Sequence, residues 1–291
     1  MKEIRGVLTA IATPFAESGA ADYDAARRLA AYLLEHGSHG LVIAGSTGEC
    51  PTLTDEEEIE LLKAVRAEVG DEVLLICGTG TTDTHHSSEL TRMAAEAGAD
   101  ASLVVAPYYN KPNRAGLEAH FEAVAEAVPE LPLIMYNIPA RSVINMPPDL
   151  LAELGQIPNI VAVKQANDEE LGPIDGLAVL AGNDNTFARV LEFGGAGGIT
   201  VASHVVGEQM RQMWDAAASD DLDRVREIDA ELTPVYEGLS VTTNPIPLKA
   251  ALELLGLASG RMRLPLVPAD AEQRAAVKAA LEGIGLPLAA N

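Results

Sequence analysis

Short apolar runs rich in β-branched residues recur along most of the chain. Most of them are apolar without alternation, which is typical of strands buried on both faces of a parallel sheet. The eight runs are Val7–Ala12, Gly40–Ala44, Val73–Cys77, Ala101–Ala106, Leu133–Tyr136, Ile160–Val163, Ala178–Ala181 and Gly198–Val201. The pattern therefore predicts eight parallel strands.

Amphipathic segments with apolar residues three and four positions apart lie between these runs and predict helices. The clearest are Tyr23–Leu34, Asp55–Val69, Ser87–Ala97, Gly116–Val128 and Asn185–Phe193. Thr54 and Glu57 form a capping box at the start of the second segment, and Asp184 or Asn185 can cap the last one. Because strands and helices alternate, the sequence predicts an α/β protein with a (β/α)8 barrel fold.

The chain of 291 residues continues well beyond the eighth run. Periodic apolar positions predict further helices at Val206–Ala218, Asp221–Leu239, Pro247–Leu255 and Ala269–Ile284. One helix is enough to close the barrel, so the others predict a C-terminal helical extension. No linker rich in Gly, Ser or Pro precedes it, and we expect it to pack on the barrel. We predict a catalytic barrel over residues 1–220 and the extension over residues 221–291.

The composition excludes several classes of protein. With 43 acidic and 20 basic side chains the formal net charge is −23, which disfavours nucleic acid as a partner because phosphates are bound by Lys and Arg. Only Cys50 and Cys77 are present and the histidines are scattered, so we predict neither a disulfide framework nor a metal site. No apolar stretch has the length of a membrane span or the form of a signal sequence, and we expect a cytoplasmic protein.

Unusual polar residues follow several of the predicted strands. The Gly45-Ser46-Thr47-Gly48 turn follows the second strand and Tyr108-Tyr109 follows the fourth. Tyr136 ends the fifth strand and Lys164 follows the sixth. Any one of these motifs is explained equally well as a turn or packing feature. Together they predict an active site, since barrel enzymes carry their chemistry at the carboxyl ends of the strands.

Lys164 is the most informative of these residues. Lysine side chains more commonly extend to solvent or pair with a carboxylate. Here the lysine follows a wholly apolar strand that leads into a barrel mouth, where burial would disfavour the ammonium form. A neutral amine can form a Schiff base with a ketone, and the iminium then makes the neighbouring carbon acidic. We therefore predict that the protein makes or breaks carbon–carbon bonds.

Such chemistry needs a proton relay and groups that bind carboxylates. Tyrosine hydroxyls linked through a Ser or Thr hydroxyl can move protons, and Tyr109, Tyr136 and Ser46 or Thr47 are available. The turn that begins at Gly45 can bind one carboxylate through its N–H groups and hydroxyls. Arg141 can hold a second carboxylate with its planar fork, although it could instead form an ion pair at an interface or on the surface.

These motifs resemble the dihydrodipicolinate synthase / N-acetylneuraminate lyase superfamily of Schiff-base aldolases, a group of lyases. The likeness covers nearly the whole chain and includes Asn244-Pro245-Ile246-Pro247-Leu248-Lys249. It implies that Lys164 forms a covalent imine with pyruvate, without a separate cofactor, and that Tyr136 is the acid/base. It also implies that Ser46 and Tyr109 complete the proton relay.

The resemblance also implies an assembly and a substrate-binding set. In the superfamily the second tyrosine of the Tyr-Tyr pair is lent across a subunit interface, so Tyr109 implies at least a dimer, and the usual assembly is a tetramer made of two dimers. Thr47, in the turn that begins at Gly45, would hold the pyruvate carboxylate. The carbonyl of Ile199 would line the site.

Arg141 decides between the branches of the superfamily. In the synthase branch an arginine at this position binds the carboxylate of aspartate 4-semialdehyde, which is condensed with pyruvate in lysine biosynthesis, whereas sialic acid lyases lack it. Ser46, Gln165 and His204 depart from the common synthase pattern. Two other functions stay open: a pyruvate-dependent lyase or dehydratase acting on a sugar-derived 2-oxo acid, and a barrel without catalytic activity.

Regulation by lysine is a further point on which the resemblance bears. Asp55 and Glu58 stand where lysine-inhibited members carry histidines, and His86 stands near a family Glu. We therefore predict that inhibition by lysine is weak or absent.

Overall fold

The computed structural model describes residues 2–289 and contains a closed barrel of eight parallel strands in chain order. The strands are β1 Gly6–Ala10, β2 Gly40–Ile43, β3 Leu74–Gly78, β4 Ala101–Val105, β5 Leu133–Asn137, β6 Ile160–Gln165, β7 Ala178–Ala181 and β8 Gly197–Thr200. The barrel closes where β1 pairs with β8, from Gly6 opposite Gly197 to Thr9 opposite Thr200. The (β/α)8 prediction is confirmed, and all eight apolar runs are strands.

Helices connect most of the strands and continue after the last one. They are α1 Tyr23–Glu35, α2 Asp55–Val69, α3 Thr84–Glu96, α4 Arg114–Ala127, α5 Pro139–Ser142, α6 Pro148–Leu154, α7 Phe187–Glu192, α8 Ser203–Ala218, α9 Leu222–Gly238, α10 Ile246–Leu254 and α11 Ala271–Gly283. The capping box of α2 is confirmed, since Thr54 and Glu57 each accept a hydrogen bond from the other's backbone N–H.

The connections around β6 and β7 differ from the sequence prediction. The short helix α6 precedes β6 and lies in a stretch for which the periodicity predicts no helix, whereas only a single 3₁₀ turn, Asp168–Glu170, lies between β6 and β7.

The predicted cap of α7 by Asp184 or Asn185 is wrong. These residues form a 3₁₀ turn that precedes the helix, and the Asp184 carboxylate accepts the Val201 N–H at 2.8 Å instead.

The C-terminal helices pack against the barrel and against one another. Helix α8 contacts β1, α9 contacts α8 and α11, and α10 contacts α11 and α8. The predicted extension is therefore present as a packed helical group, and the proposed domain boundary at residue 220 falls between α8 and α9. Among residues 2–289 no helix is both long and apolar enough to cross a lipid bilayer.

The barrel interior is filled by side chains from alternate strand positions. Leu8, Val42, Ile76, Ile134 and Leu180 are buried together in it. A barrel of eight strands is just wide enough to be filled in this way, so it encloses a packed core and not a channel. This core forms a solid support for the polar residues at the carboxyl ends of the strands.

Candidate active site

A cavity of about 490 Å³ opens at the carboxyl ends of the strands. It contains six of the eight residues that the sequence predicts for the site: Gly45, Ser46, Thr47, Tyr136, Arg141 and Lys164. These residues come from distant parts of the chain, and the barrel brings them together because parallel strands end at the same rim.

Lys164 lies near the end of β6 and is only 6% exposed. Its Nζ atom stands 4.3 Å from the centre of the Tyr136 ring. Burial lowers the pKa of Lys164 to about 8, an effect that Asp184 opposes and Arg141 reinforces. A substantial fraction of this amine is therefore neutral near physiological pH, which is the condition for attack on a carbonyl.

Tyr136 sits directly opposite Lys164 in the pairing of β5 with β6. Burial raises the pKa of Tyr136 to about 12, with Arg141 and the neighbouring Ser46 hydroxyl opposing the rise. The phenol therefore stays protonated at neutral pH and is ready to donate a proton or a hydrogen bond. Its ring lies beside the amine, so this phenol is a proton donor in the same cavity as Lys164.

The turn after β2 presents the hydroxyls of Ser46 and Thr47 to the cavity. It is a 3₁₀ turn, Ser46–Gly48, in which Gly48 N–H bonds to the Gly45 carbonyl at 2.9 Å. Thr47 is buried and its Oγ1 accepts the Asn244 side-chain amide at 3.0 Å. Because this hydroxyl oxygen already accepts a bond, its hydrogen is free to be donated to an anion such as a carboxylate.

A buried ion pair lies behind this turn. Glu49 and Lys249 form it, and their side chains are 0% and 1% exposed. Lys249 Nζ also donates to the Arg261 carbonyl at 2.8 Å, while Glu49 accepts the Arg263 backbone N–H at 3.1 Å. Glu49 adopts the left-handed conformation, with φ of 59°. The pair thus joins the turn, α10 and the segment around residue 262 into one unit.

Arg141 lies on α5 at the exposed mouth of the cavity. One Nη2–H donates to the Asn244 carbonyl at 2.8 Å. Within residues 2–289 the guanidinium has this backbone carbonyl as its hydrogen-bond partner and forms no surface ion pair. The remaining N–H groups of the guanidinium are available for a carboxylate ligand.

Two predicted site residues lie outside the cavity. Tyr109 is 90% exposed and has a left-handed backbone, with φ of 68°, and within one chain it does not line the cavity that holds Lys164. Ile199 is fully buried in the barrel core, and its neighbour Val201 lines the cavity instead. Val201 stands two residues further along the chain, just past the end of β8, where the cavity begins.

The cavity also contains polar residues to which the sequence analysis assigns no part in the site. Asp184, Asn244, Asp229 and Tyr236 are among its lining. Asn244 belongs to one of the motifs on which the superfamily resemblance rests. Its side-chain amide donates to Thr47, and its backbone carbonyl accepts from Arg141. Asp184 follows a strand end like the other site residues, and that position was the available signal for it.

A smaller cavity of about 240 Å³ lies beside the site and includes Asp55, Glu58, His86 and Tyr108. His86 Nε2 and a carboxylate oxygen of Asp55 are hydrogen-bonded at 2.9 Å. Burial, together with the charge of Asp55, raises the pKa of Glu58 to about 9, so this carboxyl is protonated at neutral pH. The prediction that lysine inhibits weakly or not at all concerns these residues, and it stays a prediction.

Fold and site together define a (β/α)8-barrel protein with a buried lysine of lowered pKa at its carboxyl face. The model of the dihydrodipicolinate synthetase family matches residues 3–284, and the chain belongs to that family. It is 44% identical over 288 residues to a 4-hydroxy-tetrahydrodipicolinate synthase of Cyanothece sp., with 96% of this chain and 98% of the relative covered. The corresponding figures for the synthase of Synechococcus elongatus are 46% over 287 residues, with 96% of each chain covered.

Solved structures agree with this assignment. The dihydrodipicolinate synthase of Acinetobacter baumannii complexed with pyruvate superposes with a TM-score of 0.94 at 34% identity, covering 98% of this chain and all of that one. The enzyme of Cyanidioschyzon merolae with lysine bound superposes with a TM-score of 0.92 at 38% identity, covering 97% of this chain and 99% of that one.

Proposed function

We propose that this protein is a 4-hydroxy-tetrahydrodipicolinate synthase, a lyase of the class I aldolase type that condenses pyruvate with L-aspartate 4-semialdehyde in the diaminopimelate route to lysine. The observation that carries the proposal is the placement of Lys164, with its lowered pKa, in one cavity with Thr47 and Arg141. The cavity therefore offers a nucleophilic amine together with donors for two carboxylates. The names of the curated relatives agree with it.

The first step is capture of pyruvate. The neutral Nζ of Lys164 attacks the keto carbon while Thr47 and the N–H groups of its turn hold the carboxylate. The carbinolamine then loses its hydroxyl as water, with a proton supplied by Tyr136, and an iminium forms on Lys164. No separate cofactor is needed, because the lysine itself supplies the electron sink.

The second step forms the carbon–carbon bond. The iminium draws electrons from the pyruvate methyl group, which loses a proton to give an enamine. The enamine carbon attacks the aldehyde, and the new alkoxide takes a proton. The amino group of the semialdehyde, once deprotonated, then attacks the iminium carbon, which closes the ring, breaks the bond to Lys164 Nζ and regenerates the amine. Ser46 lies next to Tyr136 in the cavity and can pass protons to it, and Tyr109 of a partner subunit would extend this relay.

Arg141 accounts for the choice of aldehyde. Its free N–H groups face a cavity in which Lys164 is the other cation, so it is the group that can hold a second carboxylate. An aldehyde that carries a carboxylate, such as aspartate semialdehyde, satisfies this requirement. A neutral sugar aldehyde leaves the guanidinium without its anionic partner.

Borohydride trapping tests the nucleophile. Pyruvate and borohydride should attach irreversibly to the native protein and not to Lys164→Ala, as read by the mass of the intact chain. Lys63→Ala, which removes an exposed lysine of α2, is the control and should still form the adduct. A native chain without an adduct would favour the noncatalytic barrel.

Substrate competition tests the reaction. The native enzyme should consume pyruvate with aspartate semialdehyde and not with sugar-derived aldehydes. Turnover with a sugar aldehyde alone would instead indicate the lyase or dehydratase branch. We expect the active form to be a cytoplasmic homotetramer built from two dimers, which native mass measurement can test.

A further inference from the structure

The active-site cavity has a second polar wall, formed by one face of α9. We call Asp229, Thr233, Tyr236 and Glu237 the α9 wall, and all four line the cavity. Their spacing places them on one side of the helix, since residues three, four and seven positions apart share a face. The steps described above make no use of this wall.

Two polar atoms of the α9 wall are buried without a partner. Tyr236 is 5% exposed, and neither its hydroxyl nor Asp229 Oδ1 has a hydrogen-bond partner within residues 2–289. Leaving a buried polar group unpaired costs about 1–3 kcal/mol, so native structures rarely do so without a reason. Both groups can accept hydrogen bonds, and both belong to residues that line the cavity.

The charges around this wall point to a cation as the missing partner. Asp184 lines the same cavity, and the 3₁₀ turn to which it belongs, Asp184–Thr186, contacts α9. After the larger effect of burial, Asp229 and Asp184 both act to raise the pKa of Tyr236. Glu237 adds a further carboxylate at the exposed side of the wall. The lining cations, Lys164 and Arg141, are assigned to pyruvate and to a carboxylate.

We propose that the α9 wall, together with Asp184, binds the ammonium group of an α-amino aldehyde substrate whose carboxylate is held by Arg141. An ammonium has three N–H donors, and carboxylates with a hydroxyl are the acceptors that suit it best. The inference rests on the proposed function and adds the means by which the amino group of aspartate semialdehyde is recognised.

Three variants test this subsite. Asp229→Asn removes the charge and keeps the shape, and Tyr236→Phe removes the hydroxyl alone. Glu231→Gln, an exposed α9 residue outside the cavity, is the matched control. We expect KM for aspartate semialdehyde to rise about tenfold in Asp229→Asn, the size of effect that one charge-assisted hydrogen bond gives, and to stay unchanged in the control. KM for pyruvate and the borohydride adduct should be unchanged in all three.

Succinic semialdehyde separates recognition of the amino group from a structural effect, because it lacks that group and keeps the carboxylate and the aldehyde. Its inhibition constant against aspartate semialdehyde should be the same in the native enzyme and in both wall variants. Equal weakening of the two aldehydes, or no change in either, would overturn the proposal while leaving the proposed function intact. A native enzyme that never turns over aspartate semialdehyde would overturn both.

Discussion

At the scale of single residues, the pKa of Lys164 sets how the reaction depends on pH. With a value of about 8, the neutral fraction of the amine rises about tenfold per pH unit below that point and levels off above it. We expect the initial rate of imine formation with pyruvate to follow this curve, with its midpoint near pH 8. Rapid borohydride quenching between about pH 6 and pH 9.5 measures it.

Removing the charge of Asp184 should move the midpoint of this pH curve in a known direction. Its negative charge favours the ammonium form of Lys164 and so raises the pKa of the lysine. Asp184→Asn should therefore move the midpoint to lower pH, while Asp175→Asn, a change at an exposed residue outside the cavity, should leave it in place. A midpoint that moves upward, or a rate that does not vary with pH, would contradict the assignment of the amine.

The residues that the sequence predicts for the site are those that follow apolar strands. Lys164 and Tyr136 could be found in this way because a polar side chain at the end of a buried strand must face the barrel mouth. Tyr236 could not, since its place in the cavity depends on how α9 crosses the barrel rim. The polar spacing from Asp229 to Tyr236 along α9 was the signal that was available.

At the scale of elements, the Glu49–Lys249 pair holds the Ser46–Gly48 turn against α10. Lys249→Met leaves the Glu49 carboxylate buried without its partner, and we expect a loss of about 3–5 kcal/mol in the free energy of unfolding. Denaturant unfolding measures the loss. The folded fraction should also bind pyruvate more weakly, because the turn that carries Thr47 is no longer held in place.

Lys278→Met is the control for this experiment. Lys278 pairs with Glu282 on α11 at 3.6 Å, and both side chains are more than half exposed. Exposed pairs of this kind contribute about 0–1 kcal/mol, so the control should unfold almost like the native protein. Equal stability of the two variants would show that the buried pair does not hold the turn.

The helices and strands could be predicted wherever the pattern of apolar residues is long enough to be recognised. Strands buried on both faces are apolar throughout, which is why all eight were visible. Helix α6 has only seven residues and begins at a proline, too short for an amphipathic repeat to be recognised. The start of α7 was misplaced because a 3₁₀ turn takes up the residues that looked like caps.

At the scale of the whole molecule, the proposed function requires a partner subunit to supply Tyr109, so that one chain alone would not contain the complete site. Tyr109 is highly exposed, and so are Val143, Leu264 and Val267. The sequence of one chain does not indicate which side chains a second copy contributes to the site. The role of Tyr109 was therefore predicted from the resemblance alone.

Mixing subunits tests whether the partner supplies Tyr109. Tyr109→Phe and Lys164→Ala should each be nearly inactive when assembled alone. In a dimer with one subunit of each kind, the site that keeps Lys164 receives an intact Tyr109 from its partner. Half of the randomly formed dimers are mixed and each has one working site, so an equal mixture that exchanges subunits should recover about a quarter of native activity. No recovery after demonstrated exchange would contradict a shared site.

The contacts of Asn244 and Lys249 have a consequence for synthesis of the chain on the ribosome. All eight strands and the nucleophile have been translated by the time residue 220 emerges, yet Thr47 and Arg141 still lack the partners that orient them. Activity should therefore arise late, only when the last fifth of the polypeptide has been released. A protease that clips the molecule between α9 and α10 would inactivate it while leaving the barrel whole.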